Sequence, residues 1–486
     1  MAQDRLSQLI PPLAVPLAAA LVMYGVVLFA PQVLYDADTF WHITAGQRML
    51  DLRQVIHADP FSHTMPGKPW QTHEWLAEIV MALSYRAAGW NGIVILGGLA
   101  AGAAAMLTGW WLSRFMPPLS SAITLILGFA TLTPSLLVRP HLLALPIMAG
   151  WVIALMLARE RGKAPPLWLA LVMIVWANLH GSYVFGLVLI GPFALEALIV
   201  APRERWLDVI WRWGLFGVLC LAACLITPHG LEGLIFPFQL MTMKSLPNIV
   251  EWRPPDLSKL SPLKTAIFAT LFIALSRGVR MPVLRLIVLL GLFYMATQHI
   301  RHVVVLGVIG PLLLAQPLGR ALEPDHRADL RREWKFLGLV AAVALLGATG
   351  WRFIDPLVRK DGYHAPISAY EATPADLRKQ PVLNSYGLGG YLIFKGTPVF
   401  IDGRADMYGD AFMKDYMQIA RGDQKAFDAA VKRYGIRWAF IETGTPMAKF
   451  IARQKDWRRL HGDKIAQVFV REPYPRSTSL PSSTTR

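Results

Sequence analysis

The sequence predicts an α-helical membrane protein of about eleven spans followed by a small α/β domain, and three observations carry that expectation. The 486 residues are 54% hydrophobic with a mean hydropathy of +0.41, above the roughly 45–50% apolar share of soluble domains. The excess lies before residue 351, in long apolar runs separated by short charged loops, the pattern of repeated membrane spans. After Trp351 the composition turns soluble, with apolar residues in short alternating stretches.

Eleven apolar runs are expected to span: Pro12–Phe29, Ile93–Leu112, Leu119–Val138, Leu142–Leu157, Pro166–His180, Val184–Val200, Trp213–Ile226, Leu263–Ser276, Pro282–Ala296, Val303–Ala315 and Phe336–Gly350. The first follows only one early basic residue, Arg5, and lacks a small-residue cleavage site, so it reads as a retained span. Basic loops set the orientation. Arg159, Arg161 and Lys163 follow the fourth span, and Arg203, Arg205 and Arg212 the sixth. Arg277 and Arg280 follow the eighth, and Arg320, Arg327, Arg331, Arg332 and Lys335 the tenth. These loops alternate onto one side, the expected cytoplasmic side, with the N-terminus inside and the C-terminal domain outside. The net charge of +16 is then explained by topology and anionic lipid, with no nucleic acid implied. Cys220 and Cys224 share one apolar run, a helical turn apart, and do not read as a disulfide framework.

Two long loops, 30–93 and 227–263, lie on the outer side. The first is expected to hold a helix at Thr39 to Leu52 and, at His73 to Ala88, an interfacial helix in preference to a twelfth span, because Glu74, Glu78 and Arg86 would be costly in lipid. Of the 12 histidines, nine fall at outer span ends or in outer loops: His42, His57, His63, His73, His141, His180, His229, His299 and His302. Only His326 falls in an inner loop. Asp36, Asp38, Glu74, Glu232, Glu251, Arg139, Asn178, Arg253 and Arg301 join the outer set. Polar groups gathered at one membrane depth from separate spans predict a shared pocket.

The constellations within this set each have two readings. Tyr35-Asp36-Ala37-Asp38-Thr39-Phe40-Trp41-His42 opens the first outer loop. A carboxylate there can act as general base on an acceptor hydroxyl or hold a divalent cation; Asp38 can equally cap the following helix. A cap needs one aspartate and the segment has two, which favours function. In Thr72-His73-Glu74-Trp75, His73 and Glu74 are candidates for metal or substrate, or Thr72 caps a helix with Glu74 in its first turn. Arg139-Pro140-His141 and Asn178-Leu179-His180 sit at outer span ends, Arg139 as a phosphate clamp and Asn178 and His180 facing the bundle. Glu251 belongs to the second outer loop, and His299-Ile300-Arg301-His302 suits a phosphate group, with snorkelling by Arg301 as the alternative.

The C-terminal region is expected to form strands at Pro381–Ser385, Tyr391–Phe394, Val399–Ile401, Trp438–Ile441 and Ile465–Arg471. Helices are expected near Ala411–Arg421, Gln424–Tyr434 and Met447–Gln454. Asp402-Gly403-Arg404-Ala405-Asp406 follows a strand and reads as a turn held by an Asp–Arg pair, ahead of its reading as a site. The domain plan is 1–351 membrane domain, 352–472 periplasmic α/β domain, and a Ser-, Thr- and Pro-rich tail at 473–486.

Asp-x-Asp before Trp-His, His-Glu-Trp-Leu, Arg-Pro, Trp-x-Asn-x-His-Gly, Gly-Gly-Tyr-Leu and Phe-Ile-Asp-Gly-Arg are all present. On these motifs the chain resembles the GT-C superfamily of polyprenyl-phosphate-dependent membrane glycosyltransferases, which includes protein mannosyltransferases and aminoarabinose transferases, in an uncharacterised bacterial branch. The resemblance implies a first outer loop with the catalytic aspartate, which places Asp36 and Asp38 as catalytic residues. His42, Arg139, His141, Asn178, His180, Glu251, Arg301 and His302 are then the expected substrate and phosphate set. It also implies a divalent metal ion, with Glu74, His73 and His229 as the nearest ligands, although the double proline that follows the family's loop is missing here. The implied activity is inverting hexosyl or pentosyl transfer from a polyprenyl-phosphate-linked sugar to an envelope lipid, glycan or protein. It would take place on the outer face of a bacterial inner membrane, with membrane lipids as the surrounding partners. A lipid or glycan flippase is the first rival and predicts polar groups at both faces and the midplane; a non-catalytic envelope-assembly scaffold is the second.

Overall fold

The computed structural model describes residues 13–324, 326 and 334–474. Arg5, Arg327, Arg331, Arg332 and the tail from 475 lie outside the described residues. Two compact units divide the chain. The first comprises Met1–Leu34, Ala45–Val55 and Gln71–Val358; the second comprises Tyr35–Thr44, Ile56–Trp70 and Arg359–Arg486. The C-terminal unit thus takes in two pieces of the first loop, which the sequence reading had grouped with the membrane part.

Helices run in chain order as α1 (Ala14–Phe29), α2 (Asp38–Leu52), α3 (Trp75–Ser113), α4 (Pro118–Ala130), α5 (Pro140–Glu160) and α6 (Leu171–Leu179). They continue as α7 (Tyr183–Val200), α8 (Trp206–Cys224), α9 (Gly230–Met241), α10 (Pro262–Arg277), α11 (Val283–Gln298), α12 (Ile300–Leu322) and α13 (Trp334–Ile354). Each expected span coincides with one of these helices. Among the described residues, six stretches are long and apolar enough to cross a membrane: Trp75–Ser113, Pro140–Glu160, Tyr183–Val200, Arg203–Cys224, Ile300–Leu322 and Lys335–Ile354. Four shorter apolar stretches, Ala14–Phe29, Pro118–Ala130, Leu167–Leu179 and Val283–Gln298, accompany them. The chain is a multi-pass membrane protein.

The interfacial helix and the second span, together α3, are two helices in direct succession, separated by non-helical backbone at Ala88 and Gly89. Gly89 has φ +55°, ψ −139°, a conformation that favours glycine. Arg86, just before the break, donates to the Gln47 carbonyl (3.1 Å) and pairs with Asp51. Helices α1 and α3 approach closely because Gly98 and Gly102 present no side chain: a Cβ on Gly102 would lie 2.9 Å from the Ala20 carbonyl, and one on Gly98 2.8 Å from the Tyr24 ring. Small residues four apart are how apolar helices associate where lipid removes the hydrophobic drive. Glu196 of α7 accepts two hydrogen bonds of 2.9 Å from Arg285 of α11 and lies 3.2 Å from Arg159 of α5. This buried ionic triad was not singled out from the sequence.

The second outer loop, for which the sequence named no element, contains α9, whose internal Pro237 and Gly233 hide its periodicity.

The C-terminal unit contains α14 (Ile367–Glu371), β1 (Val382–Asn384), α15 (Gly389–Phe394), α16 (Ala405–Arg421), α17 (Gln424–Tyr434), β2 (Trp438–Glu442), α18 (Pro446–Ile451), β3 (Trp457–Gly462) and β4 (Ala466–Arg471). The sheet order is β1-β2-β4-β3. β1 pairs parallel to β2 with Val382 beside Trp438, and β4 runs antiparallel to both β2 and β3. Tyr391–Phe394 is helical, part of α15, where a strand was expected. Its four apolar residues give no period that separates a buried helix from a buried strand. Val399 forms only an isolated parallel bridge with Ser62 in place of the expected strand at Val399–Ile401. β3 was missed because it is an edge strand whose Arg458, Arg459 and His461 interrupt any apolar alternation.

Candidate functional site

The membrane unit brings together residues from four separate segments. The chain enters α3 through Gln71-Thr72-His73-Glu74. Glu74 occupies the N-cap position without making a side-chain cap hydrogen bond. Instead the Glu74 carboxylate lies 3.4 Å from His180 Nε2 and 3.8 Å from His73 Nε2. His180 sits in extended backbone just past α6. Its Nδ1 accepts from the Ser182 N–H at 3.1 Å. In the neutral tautomer that bond puts the proton on Nε2, facing Glu74.

Asn178, in the last turn of α6, has a joining role. Its amide donates to the Ile174 and Ile226 carbonyls (2.7 and 2.9 Å), and its oxygen accepts from the Trp75 indole. The start of α3, the end of α6 and the chain beyond α8 are thereby tied together, which is the interhelical bonding expected of a buried Asn.

His73 packs against the Phe236 ring of α9 at 4.5 Å between centroids. Burial pushes its pKa down to about 4; a bond to the Gln71 carbonyl opposes this, and the nearby Arg301 and His229 add to it. His73 is therefore a neutral imidazole at neutral pH.

Arg139, at the N-cap position of α5, pairs with Glu251 at 3.1 Å. The two residues expected to bind substrate are thus an ion pair that links the first turn of α5 to the second outer loop. His141 donates to the Ser135 carbonyl at 2.9 Å, and its ring lies 6.2 Å from that of His180. Arg301 stacks over the Trp252 ring at 4.3 Å, a cation–π contact. His299 donates from Nδ1 to the Trp252 carbonyl at 2.6 Å, and its ring lies 5.2 Å from that of His302. His302 Nδ1 is buried and has no hydrogen-bond partner among the described residues, and a buried polar atom in this state is costly unless a ligand or water completes it. A small cavity beside this cluster is lined by His73, Trp75, Asn178, Tyr183, His229 and Phe236, among others. Arg253, expected in the polar set, instead holds its own loop through the Pro247 and Asn248 carbonyls, both at 3.0 Å.

Asp36, Asp38 and His42 belong to the C-terminal unit. Asp36 Oδ2 accepts from both the Thr39 N–H and the Thr39 hydroxyl at 3.1 Å, bonds at the start of α2. Asp38 lies in the first turn of α2, and its Oδ1 accepts from the Trp41 indole at 3.0 Å. A Cβ at position 403 would collide with that carboxylate, so Gly403 is what lets the Asp402 turn approach it. His42 is buried and stacks on Trp41 at 3.6 Å between ring centroids. Arg359 lies beside Tyr35 and Asp36; burial lowers its pKa to about 10 while these neighbours oppose the shift, so it stays a cation at neutral pH. Sequence reasoning missed Arg359, and only its position just past the last membrane helix marks it.

In the same unit Arg404 bonds both oxygens of Asp402 (2.7 and 2.6 Å) and Asp59 Oδ1 (2.7 Å), and the Tyr408 hydroxyl donates to Asp402 at 2.7 Å. All four side chains are buried. The sequence reading of a turn held by an Asp–Arg pair describes this network, with Asp59 as an added partner.

Glu74 adjoins His73, and His229 lies near His73. Among the described residues, however, no group of three His, Cys, Asp or Glu side chains is placed to hold a metal ion. The expected set of Glu74, His73 and His229 is not assembled as a three-ligand site.

No protein-family model matches the chain, and no curated protein sequence matches it. Among solved structures, ArnT from Cupriavidus metallidurans bound to undecaprenyl phosphate matches with a TM-score of 0.51 at 15% sequence identity. The match covers 94% of this chain and 97% of that one. The chain has an ArnT-like helical membrane fold with a small C-terminal α/β unit, the fold class that the sequence predicted.

Proposed function

We propose that this protein is a GT-C-type glycosyltransferase that moves a sugar from a polyprenyl-phosphate carrier to an envelope lipid, glycan or protein on the periplasmic face of a bacterial inner membrane. One observation carries the reading: His73, Glu74, Arg139, His141, His180, Arg301 and His302 come from distant parts of the sequence and cluster within one unit. The shared fold supports it, since ArnT was solved with undecaprenyl phosphate.

In this reading Arg301 and Arg139 supply fixed positive charge for the carrier phosphate, and His302 offers a buried ring nitrogen to a phosphate oxygen. Asp38 or Asp36 takes the proton of the acceptor hydroxyl. The acceptor oxygen bonds to the anomeric carbon, the bond from that carbon to the carrier phosphate breaks, and its electron pair leaves with the phosphate, inverting the centre. No step of the reading passes through a metal.

The test compares envelope glycans by mass spectrometry in a deletion strain complemented with wild type, Arg301→Ala, Asp36→Asn or Asp38→Asn. The reading expects one sugar to disappear, to return with wild type, and to stay absent with Arg301→Ala and with at least one Asn variant. Asparagine is as good a helix cap as aspartate, so Asp36→Asn removes the charge and keeps the fold. An unchanged glycome in the deletion strain, or full restoration by all three variants, overturns it.

A further inference from the structure

Helices α16 and α17 of the C-terminal unit do not close against each other along their whole length. Between them lies a cleft of about 430 Å³, within the roughly 300–1,000 Å³ typical of small-molecule sites. Its existence follows from the sequence of α17, which presents Ala426, Ala429 and Ala430 on the facing side. These positions are three and four apart and share one helix face, and methyl groups there leave unfilled the space that larger side chains would occupy.

The floor of the cleft is aromatic. The Phe400 ring packs against Phe412 and Tyr434 at 5.3 Å each and against Tyr416 at 6.4 Å. The rim is polar and charge-balanced, with Asp415 and Asp423 against Lys425 and Arg433, and Gln418 between. Asp415, Gln418 and Lys425 form no side-chain hydrogen bond or ion pair among the described residues. Arg433 packs over the Tyr434 ring at 5.2 Å, and Asp423 uses one oxygen to cap α17.

This combination selects a ligand class. Phe400, Phe412 and Tyr416 are almost fully buried, so the half-buried Tyr434 and the alanine methyls supply the apolar patch, and uncommitted acceptors and donors around it suit a ring of hydroxyl groups. Two carboxylates on the rim disfavour a phosphate or polyanion, and the balancing cations disfavour a simple cation. Helices form the walls, with no open strand edge to pair a peptide. We infer that the cleft between α16 and α17 is a binding site for an uncharged saccharide of one or two rings, separate from the transfer chemistry proposed above.

The experiment uses the full chain in lipid nanodiscs and saturation-transfer NMR, with chitobiose, maltose and inorganic phosphate as probes. A disaccharide is expected to receive saturation from the wild-type protein. Ala429→Trp, which fills the cleft from an exposed position, is expected to weaken that binding at least about tenfold. Gln418→Ala, at an exposed rim position, weakens it less while leaving size-exclusion and circular-dichroism profiles unchanged. Asp38→Asn leaves the signal intact, which separates this site from the transferase reading. The inference is overturned if neither disaccharide receives saturation, if Ala429→Trp leaves binding unchanged, or if phosphate is the probe that Ala429→Trp displaces. It is also overturned if Asp38→Asn abolishes the saccharide signal.

Discussion

The Arg159–Glu196–Arg285 triad gives the sharpest energetic test of the membrane unit. The side chains of Glu196 and Arg285 are 9% and 7% exposed and meet through two parallel 2.9 Å bonds. Arg159 is 14% exposed and lies 3.2 Å from the same carboxylate. Removing one partner of a buried pair leaves an uncompensated charge and costs about 3–5 kcal/mol. Replacing both partners by apolar side chains removes the charges together and is often close to neutral. Glu196→Met strands Arg285, because its head is buried, whereas Arg159 has a partly exposed path and can turn its head towards water. Glu196→Met should therefore lower stability by about 3 kcal/mol and Arg285→Met by somewhat less, because Arg159 still faces the carboxylate at 3.2 Å, whereas the double variant should cost clearly less than their sum. The assay is reversible unfolding in mixed micelles by denaturing-detergent titration, arranged as a double-mutant cycle. A coupling of at least about 2 kcal/mol is expected, above the roughly 0.6 kcal/mol average of polar contacts between membrane helices. Additive single variants would refute the reasoning, because they would mean that the charges keep their hydration after one partner is lost.

The remaining predictions concern three other contacts. His73 has a folded pKa of about 4 against an ordinary value of 6.5, so its neutral form favours folding above pH 6.5 and that contribution is lost as pH falls from 6.5 towards 4. Thermal stability of the wild type should fall across this window, and His73→Gln should flatten the fall; an equally steep profile in the variant counts against the assignment. Gly102→Leu should separate α1 from α3, since even a Cβ lies 2.9 Å from the Ala20 carbonyl, and cost about 1–3 kcal/mol by overpacking; wild-type stability in detergent titration would contradict it. Arg404→Lys cannot reproduce the three-way fork to Asp402 and Asp59, and should destabilise the C-terminal unit by about 3 kcal/mol or more; unchanged resistance of that unit to limited proteolysis would refute this.

The membrane helices were legible because lipid imposes length and apolarity on a span, and every expected run became a helix. Legibility declined where those constraints lapse. α9 is short and interrupted by Pro237, and α15 is an apolar tetrad whose form its neighbours decide. Gly390 of that helix sits where a Cβ would strike the Ala37 carbonyl, a contact between residues far apart in sequence that no local pattern contains. The splitting of the first loop between two units was invisible for the same reason: Ser62 bridges Val399, and Asp59 meets Arg404.

The polar cluster was legible in membership and not in pairing. Sorting histidines by side of the membrane found His73, His141, His180 and His302, because a buried polar group in a span needs a partner or a use. The same rule applied along the spans also reaches Glu196 and Arg285, which lie in expected spans six and nine, yet an inventory restricted to one face overlooked them. What composition does not encode is which carboxylate meets which cation. Glu251 could have been read as a substrate ligand or as the partner of Arg139, and the fold joins it to Arg139. Glu74 is the contrasting case. It sits at a helix start, makes no side-chain cap bond and faces two imidazoles. Glu74 meets His180 from a distant segment at 3.4 Å, a contact that no local pattern contains, whereas Asp36 bonds Thr39 three residues on.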